Sequence, residues 1–378
     1  MFQSSFGFRN VMGPSYSFVF FLLAMLVCGS LSDSEPDVTE NSRQKRLFSL
    51  FNIVKFKNKG CTSVGSTNMG GTCLTSTECT SQGGASSGNC AAGFGVCCIF
   101  SLSGSCGSGQ TVSQNCTYIR NSGFPSADTT ASETCTYNFN RICDNLCQIR
   151  LDFDSLTSQA SATGSCGTEA DAITVSSPFS SSSNAFPPTV CGTLTGQHMY
   201  LETGTTGNAG TLSFAKGTGA GNRSYQIKVT YFTCDSLAKA PAGCTQYFTG
   251  IRGSFQSYNH AGGQLLQSMD YSNCFRQEEG YCQLQIRESL STTPDAFLVS
   301  APTTKAMTAC ADLSFITFST PTLGAFCGGV LNSVNEHIIP GVLTSSPGSN
   351  FQVGLNTLAA DLTDLIGFNL NYNQVPCA

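Results

Sequence analysis

The chain has 378 residues, a formal net charge of −5, 39 glycines and no tryptophan, and only 11% of its residues are charged. This composition favours short strands joined by turns over helical bundles, and the length suffices for two or three domains. From Cys61 onward there are 11 basic and 19 acidic residues, and this surplus of negative charge argues against a nucleic-acid partner.

The N-terminal region has the layout of a signal peptide. Arg9 precedes the apolar run 18–27, which is followed by small residues at 28–30. Because this run is too short to cross a bilayer comfortably, it predicts a signal peptide over 1–30, secretion to the extracellular space, and no membrane span once the signal is removed. An uncleaved signal anchor is the alternative.

A basic cluster follows the leader. Arg43, Lys45 and Arg46 form an Arg-x-Lys-Arg pattern, which furin-like convertases cut because their acidic pockets bind clustered basic side chains. The pattern predicts a propeptide over 31–46 and a mature chain that begins at Leu47. A merely solvated basic segment is the alternative.

Cysteine usage indicates an oxidising compartment. The chain holds 21 cysteines, and without Cys28 of the leader an even number of 20 remains for disulfide bonds. Zinc ligation would explain few of them, since the chain has three histidines. Six fall in the glycine-rich segment 47–100: Cys61, Cys73, Cys79, Cys90, Cys97 and Cys98. The adjacent Cys97 and Cys98 are each expected to bond to a different earlier cysteine.

The stretch 135–153 has a diverged second copy at 274–288. In the first copy Tyr137 and Phe139 alternate with polar residues, and 149–153 alternates in the same way. Period-two alternation predicts half-buried strands, and the short cysteine-bearing segment between them predicts a disulfide-tied β-hairpin. Two copies predict two similar modules.

Six cysteines recur in the same order in both copies. The aligned pairs are Cys116 with Cys244, Cys135 with Cys274, Cys147 with Cys282, Cys166 with Cys310, Cys191 with Cys327, and Cys234 with Cys377. Cys106 and Cys143 are left over in the first copy. The three segments thus hold six, eight and six cysteines, so each can close its disulfide bonds internally.

Both copies resemble a CUB domain. In the first copy the resemblance is carried by Cys106-Gly107, the turn NSGFP, the stretch 135–153, Cys166 followed by DAITV, Cys191-Gly192 and the closing strand YQIKV. In the second copy it is carried by FCG at 326–328 and GFNLNY at 367–372. The resemblance covers 106–234 and, more faintly, 244–377. It implies an all-β fold with two tandem CUB-like antiparallel β-sandwiches behind a small disulfide-rich module.

Two narrower resemblances point to arthropod proteins. The pattern that ends in GFGVCC makes 47–100 similar to the clip-like modules of arthropod extracellular proteins, with a plain disulfide-stapled linker as the alternative. The runs RQKRLFSLFN, CGTLTGQHMY and CTQYFTG resemble arthropod secreted CUB-domain proteins of unassigned role.

The CUB resemblance implies the disulfide pairs Cys166–Cys191 and Cys310–Cys327. The preferred scheme for the others is Cys116–Cys135, Cys244–Cys274, Cys147–Cys234, Cys282–Cys377 and Cys106–Cys143. A competing scheme joins Cys106 to Cys135, as in most CUB domains. Spacing alone does not choose between the two.

Two sequons predict N-glycosylation, at Asn115 and at Asn222. Asn222 is the better acceptor, because at Asn115 the middle residue of the sequon is a cysteine whose oxidation can hinder modification.

Many CUB domains bind calcium, and the resemblance indicates where the ligands would fall. In the first module the glutamate position falls at Gln159, Asp171 is one aspartate, and the last position lies in the acid-free stretch KGTGAGN. The second module keeps four acids that suit a hard cation: Asp361, Asp364, Asp312 and Glu288. Because the usual ligand sets are incomplete, no cofactor is expected, and a residual calcium site in the second module is the alternative.

Catalysis is not expected either. The candidate bases His198, His260 and His337 lie outside any recognised nucleophile motif, and His198 is interpreted as a packed or surface residue. The segment 355–366 has helical spacing of its apolar residues and predicts a short surface helix. The sequence therefore predicts a secreted, non-catalytic protein that recognises an extracellular protein or glycan. The alternatives are a regulator of an extracellular protease cascade and a structural component of matrix or cuticle.

Overall fold

A computed structural model describes residues 55–65, 68–103, 106–176, 187–203, 207–290 and 295–377. The predicted signal peptide (1–30) and the propeptide with Arg43, Lys45 and Arg46 lie outside these residues. Phe56–Ala378 forms one compact unit. Among its described residues, no helix is long and apolar enough to cross a membrane.

The cysteine-rich segment folds around three disulfide bonds, Cys61–Cys97, Cys73–Cys90 and Cys79–Cys98. Cys97 and Cys98 thus bond to different earlier cysteines, as expected. The segment contains helix α1 (Ser76–Ser81) and four strands: β1 (Gly60–Thr62), β2 (Gly70–Leu74), β3 (Ala85–Cys90) and β4 (Gly95–Ser103). Helix α1 begins with a capping box between Thr75 and Glu78, which satisfies backbone donors at its first turn.

The first sandwich follows directly, with eight further strands. They are β5 (Gln110–Val112), β6 (Thr117–Arg120), β7 (Thr134–Asn140), β8 (Leu146–Thr157), β9 (Ala172–Ser176), β10 (His198–Glu202), β11 (Asn208–Ala215) and β12 (Ser224–Thr233). One sheet has the order β1-β2-β4-β6-β12-β8-β10 with β3 beside β4, and the other has the order β5-β7-β11-β9.

Strand β4 connects the cysteine-rich segment to the first sandwich. It pairs with β2 at one edge and runs parallel to β6, with Phe100 opposite Thr117 and Ser103 opposite Arg120. The small segment therefore extends a sheet of the sandwich, and residue 100, the predicted end of the clip-like module, lies inside a strand.

The second sandwich has the same plan. Its strands are β13 (Gln246–Phe248), β14 (Arg252–Gln256), β15 (Asp270–Phe275), β16 (Tyr281–Glu288), β17 (Phe297–Leu298), β18 (Ala306–Met307), β19 (Phe315–Thr317), β20 (Ala325–Gly328), β21 (Val342–Thr344), β22 (Gln352–Asn356) and β23 (Gly367–Pro376). The sheets have the orders β13-β15-β22-β19-β20-β18 and β14-β23-β16-β21, with β17 also on β23.

The predicted alternation is confirmed, but the predicted hairpin is wrong. Tyr137 and Phe139 of β7 and Ile149, Leu151 and Phe153 of β8 are all buried between the sheets. However, β7 pairs with β5 and β11, whereas β8 pairs with β10 and β12 in the opposite sheet. The segment 141–145 is therefore an arch that crosses from one sheet to the other.

Nine disulfide bonds join the described cysteines. Besides the three of the small segment they are Cys106–Cys135, Cys147–Cys234, Cys166–Cys191, Cys244–Cys274, Cys282–Cys377 and Cys310–Cys327. Three of these six, Cys147–Cys234, Cys244–Cys274 and Cys282–Cys377, belong to the preferred scheme. Cys166–Cys191 and Cys310–Cys327 are the two pairs that the CUB resemblance implied, and Cys106–Cys135 belongs to the competing scheme.

The preferred bonds Cys116–Cys135 and Cys106–Cys143 are wrong, and Cys116 and Cys143 are free thiols. Cys116 directly precedes β6 in one sheet, whereas Cys135 lies in β7 of the other, so the core separates them. Cys143 is exposed in the arch. Burial raises the pKa of the Cys116 thiol.

The structure also corrects the alignment of the two copies. After Cys106, β5 runs parallel to β7, just as β13 runs parallel to β15 after Cys244. The counterpart of Cys244 is therefore Cys106 rather than Cys116. The sequence separations agree, since Cys106–Cys135 spans 29 residues and Cys244–Cys274 spans 30.

The helix predicted over 355–366 is not formed. Leu355 lies in β22, paired on both sides with Tyr271 and Ile316, and the strand ends at Asn356. The remainder is an irregular loop, and Asp364 has a φ of 66°, which interrupts any right-handed helix. The apolar spacing reflects a buried strand followed by a loop that buries Leu362.

The two sandwiches share a buried boundary. Thr193 donates its backbone N–H to Asn259 Oδ1 at 2.8 Å, and the Tyr258 hydroxyl donates to the carbonyl of His198 at 2.8 Å. Tyr200 of the edge strand β10 donates its backbone N–H to the Thr245 carbonyl at 2.8 Å. One hydrophobic core therefore runs through both sandwiches, although their sheets stay separate.

Candidate functional site

The loop end of the first sandwich contains a fully buried ion pair. Asp171 precedes β9 and Arg223 precedes β12, and both side chains are 0% exposed. The Arg223 Nε donates to Asp171 Oδ1 at 2.9 Å and to Oδ2 at 3.0 Å. The same carboxylate accepts the backbone N–H of Gln159 at 2.8 Å and that of Gly217 at 2.8 Å. Both carboxylate oxygens are therefore fully engaged.

The glycine-rich loop 216–222 encloses the guanidinium. Its terminal nitrogens donate to four backbone carbonyls, those of Thr130 (3.2 Å), Gly221 (3.2 Å), Gly219 (2.9 Å) and Gly217 (3.4 Å). A Cβ at Gly217 would lie 2.2 Å from the carbonyl oxygen of Ala170, so this close approach of backbones requires glycine. The stretch KGTGAGN is thus a cradle for Arg223.

A second buried cation stands beside this cradle. The Lys216 ammonium is fully buried and pairs with Asp128 and Glu133. Burial alone would raise the pKa of Asp128, but hydrogen bonds with Lys216 and Thr130 lower it below the ordinary value. The positive charges of Lys216 and Arg223 are therefore neutralised by acidic side chains of the same sandwich.

The residues of the first sandwich do not fit a calcium ion. Gln159 and Asp171 are neighbours, but the Arg223 guanidinium already occupies the space between the Asp171 carboxylate and the loop carbonyls. Calcium needs six to eight oxygen ligands with lone pairs directed at one point, and here those lone pairs accept N–H donors.

The acids of the second sandwich do not converge. Glu288 accepts the backbone N–H of Leu331 at 2.7 Å, and burial raises the pKa of this carboxyl. Asp361 accepts from Thr363 at the surface, and Asp312 and Asp364 are exposed. Within the described part of the chain, the one group of three His, Cys, Asp or Glu ligand atoms is that of Cys106, Glu133 and Cys135, and its two cysteines are bonded to each other.

His198 belongs to the boundary between the sandwiches. Its Nε2 accepts the backbone N–H of Tyr247 at 2.8 Å, and its ring lies 5.7 Å from that of Tyr200 and 5.1 Å from that of Phe248. Burial and, to a smaller extent, the nearby Arg150 lower the pKa of His198 to about 3. A neutral imidazole that is enclosed and already hydrogen-bonded has a structural role.

The other two histidines are also bonded to backbone. The His260 Nε2 lies 3.0 Å from the Asp295 carbonyl, and burial lowers the pKa of this ring. The His337 ring lies 3.1 Å from the Ile339 carbonyl. Among the described residues, neither histidine ring forms a hydrogen bond with a serine or cysteine side chain.

The outer face of the sheet β14-β23-β16-β21 carries an open groove of about 600 Å³. Polar side chains from three strands line it: Arg252, Ser254, Gln285, Arg287, Asn371 and Asn373. Asn373 lies between Arg252 and Gln285, and Asn371 lies between Ser254 and Arg287. Sequence reasoning missed this face, although the alternation of polar and apolar residues in these strands marks it.

The two predicted glycosylation sequons differ in their surroundings. Asn222 is exposed next to the buried Arg223. The Asn115 side chain is used in the fold, because its Oδ1 accepts the backbone N–H of Tyr231 at 2.9 Å and its Nδ2 donates to the Tyr231 carbonyl at 3.5 Å.

We expect a glycan at Asn222 and none at Asn115. Peptide mapping after enzymatic deglycosylation of the chain secreted from eukaryotic cells would measure both sites. Asn222→Gln is expected to abolish the mass shift on deglycosylation, whereas Asn115→Gln is expected to leave it unchanged and to lower stability by about 1 kcal/mol through the lost hydrogen bonds. A glycosylated Asn115 in folded protein would contradict the expectation.

The described chain is an all-β protein of two β-sandwiches tied by disulfide bonds. Residues 241–375 match the family Animal CUB domain. This range coincides with the second sandwich, and CUB domains are generally binding modules without catalytic activity. No curated protein matches the chain.

Three solved structures show weak similarity to the whole chain. The CUB1-EGF-CUB2 domains of rat MASP-1 are 13% identical over 70% of this chain and 100% of that one, with a TM-score of 0.25. The CUB1-EGF-CUB2 domain of human MASP-1/3 is 15% identical over 68% and 98%, with a TM-score of 0.24. The extracellular region of zebrafish Gpr126/Adgrg6 is 10% identical over 71% and 36%, with a TM-score of 0.27.

Proposed function

We propose that this chain is a secreted, non-catalytic recognition protein whose sandwiches bind an extracellular protein or glycan. The observation that carries the proposal is the family match over 241–375, which falls on a sandwich with an open, polar outer face. Binding loops and faces on a rigid scaffold lose little entropy when a ligand is bound.

Two further observations support the proposal. Nine disulfide bonds among the described residues are typical of proteins that fold in an oxidising compartment and act outside the cell. The second sandwich is also held at a fixed orientation to the first, because Asn259 and Tyr258 bond across the boundary. We propose on the same grounds that 106–234 is a second CUB domain and that 47–100 is a clip-like module.

The test is binding by the intact secreted chain. The immobilised chain would be presented with extracellular proteins and with an array of glycans, and the bound partner would be mapped by cross-linking. We expect saturable binding that is lost when the same chain is reduced and alkylated, because the sandwiches depend on their disulfide bonds. Failure to bind any partner, or turnover of a peptide, ester or glycoside substrate, would contradict the proposal.

A further inference from the structure

Two arginines of the groove differ from every other arginine that the structure describes. The side chains of Arg252 and Arg287 make no hydrogen bond or ion pair with a described residue. The remaining five described arginines all have partners: Arg120 with Gln226, Arg141 with the Leu146 carbonyl, Arg150 with Asp152, Arg223 with Asp171, and Arg276 with Glu278. The groove therefore presents two guanidinium groups whose donors are free.

The charge of these arginines stands out against the rest of the chain. The region from Cys61 onward has 11 basic and 19 acidic residues, yet no acidic side chain lines the groove. A planar guanidinium binds carboxylate and sulfate groups through two parallel hydrogen bonds, which makes an anion its best partner.

The position of the arginines suits a ligand with more than one anionic group. Arg252 lies on β14 and Arg287 on β16, with β23 between them. Arg252 is opposite Asn373 and Arg287 is opposite Asn371, so the two arginines are offset by two residues along β23. With about 4.8 Å between strands and about 3.4 Å per residue, their Cα atoms are separated by roughly 12 Å. One extended polyanionic chain can therefore contact both guanidinium groups.

The other side chains of the groove favour a glycan over a peptide. Asn371 and Asn373 carry amides that both donate and accept, as Gln285 does, and such groups match sugar hydroxyls. Protein-binding surfaces are usually centred on buried aromatic or large apolar side chains. Among the residues that line this groove, Val342 is an exposed apolar side chain, at 55%, and it lies at the edge strand.

We infer that the groove on the outer face of the second sandwich binds an acidic glycan that carries sulfate or carboxylate groups. The inference rests on the proposed recognition function and specifies its ligand class and its site.

Binding of heparin, hyaluronan and neutral dextran to the intact secreted chain would test the inference. We expect heparin or hyaluronan to bind with an affinity that falls as salt rises, and dextran not to bind. Heparin carries sulfate and hyaluronan carries carboxylate alone, so the two probes distinguish the anionic groups. The double variant Arg252→Gln/Arg287→Gln is expected to weaken binding by about tenfold or more, because both charged contacts are lost.

The matched control is Arg276→Gln, which removes the same charge from an exposed arginine of the same sandwich outside the groove. It is expected to change the affinity by less than about twofold. Unchanged circular dichroism and melting temperature would show that the variants fold, as expected for exposed sites.

Three results would overturn the inference: no binding of either acidic glycan, equal binding by the double variant and the native chain, or competition by a polyglutamate peptide as strong as that by heparin. If a partner is still captured by the native chain in these cases, the proposed function stands and only the ligand class or its site is wrong. If nothing is captured at all, both fail.

Discussion

Replacing Arg223 by methionine is expected to lower the free energy of unfolding by about 3–5 kcal/mol. The change leaves the fully buried Asp171 carboxylate without its counter-ion and removes the donors of four backbone carbonyls. Groups of this kind lose their water on folding, so the penalty falls on the folded state. Denaturant unfolding with the disulfide bonds intact would measure the loss.

The matched control is Arg276→Met, which breaks the exposed pair with Glu278 and is expected to leave stability almost unchanged. The double variant Asp171→Asn/Arg223→Met is expected to regain part of the loss, because the unpaired charge is gone. A loss at Arg223 no larger than that of the control would contradict the buried-pair explanation.

The loop that encloses Arg223 also leads to a prediction about calcium binding. Because the guanidinium fills the space between Asp171 and the loop carbonyls, neither calcium nor a chelator is expected to shift the melting temperature of the native chain. A shift upward with millimolar calcium would show that some other set of oxygens in the chain holds the ion.

The sequence predicted which residues are buried better than it predicted which strands pair. Alternation at Tyr137, Phe139 and Ile149 identified the core faces, because period two is a local property of a strand. The strand with which each one pairs depends on the sheet to which it belongs. The arch 141–145 takes the chain from one sheet to the other, and the local sequence pattern does not reveal this crossing. Hence two correct strands were combined into a hairpin that does not exist.

The loop end of the first sandwich illustrates a second limit of prediction from the sequence. The missing acid in KGTGAGN predicts an incomplete calcium site, but nothing in that stretch predicts that the Arg223 guanidinium binds Asp171 there. Arg223 lies 52 residues from Asp171, and in the sequence it stands inside a glycosylation motif that suggests a surface residue. An arginine that follows three closely spaced glycines was the available signal, since a bulky cation requires backbone to approach it closely.

Acidification below pH 6.5 is expected to destabilise the protein through His198. Burial lowers its folded-state pKa to about 3, whereas in the unfolded chain it returns to about 6.5. The unfolded state therefore binds one more proton than the folded state between these values. The contribution of His198 to the free energy of unfolding is fully present above pH 6.5. Below that pH it falls by about 1.4 kcal/mol per pH unit, so about 2 kcal/mol is lost at pH 5.

His260 acts in the same direction, because burial also lowers its pKa. Denaturant unfolding at pH 7, 6 and 5 would measure the slope before most carboxylates titrate. His198→Gln is expected to reduce the slope, since a glutamine oxygen can still accept the Tyr247 N–H but does not take up a proton. Adding His260→Gln is expected to reduce it further.

His337→Gln is the matched control, because this histidine lies in a surface loop rather than at the boundary, and the slope is expected to persist in that variant. A native chain whose stability is constant from pH 7 to pH 5 would mean that His198 is accessible to protons in the folded state. Since the imidazole lies between Tyr200 of the first sandwich and Phe248 of the second, that result would also mean that the two sandwiches separate readily in solution.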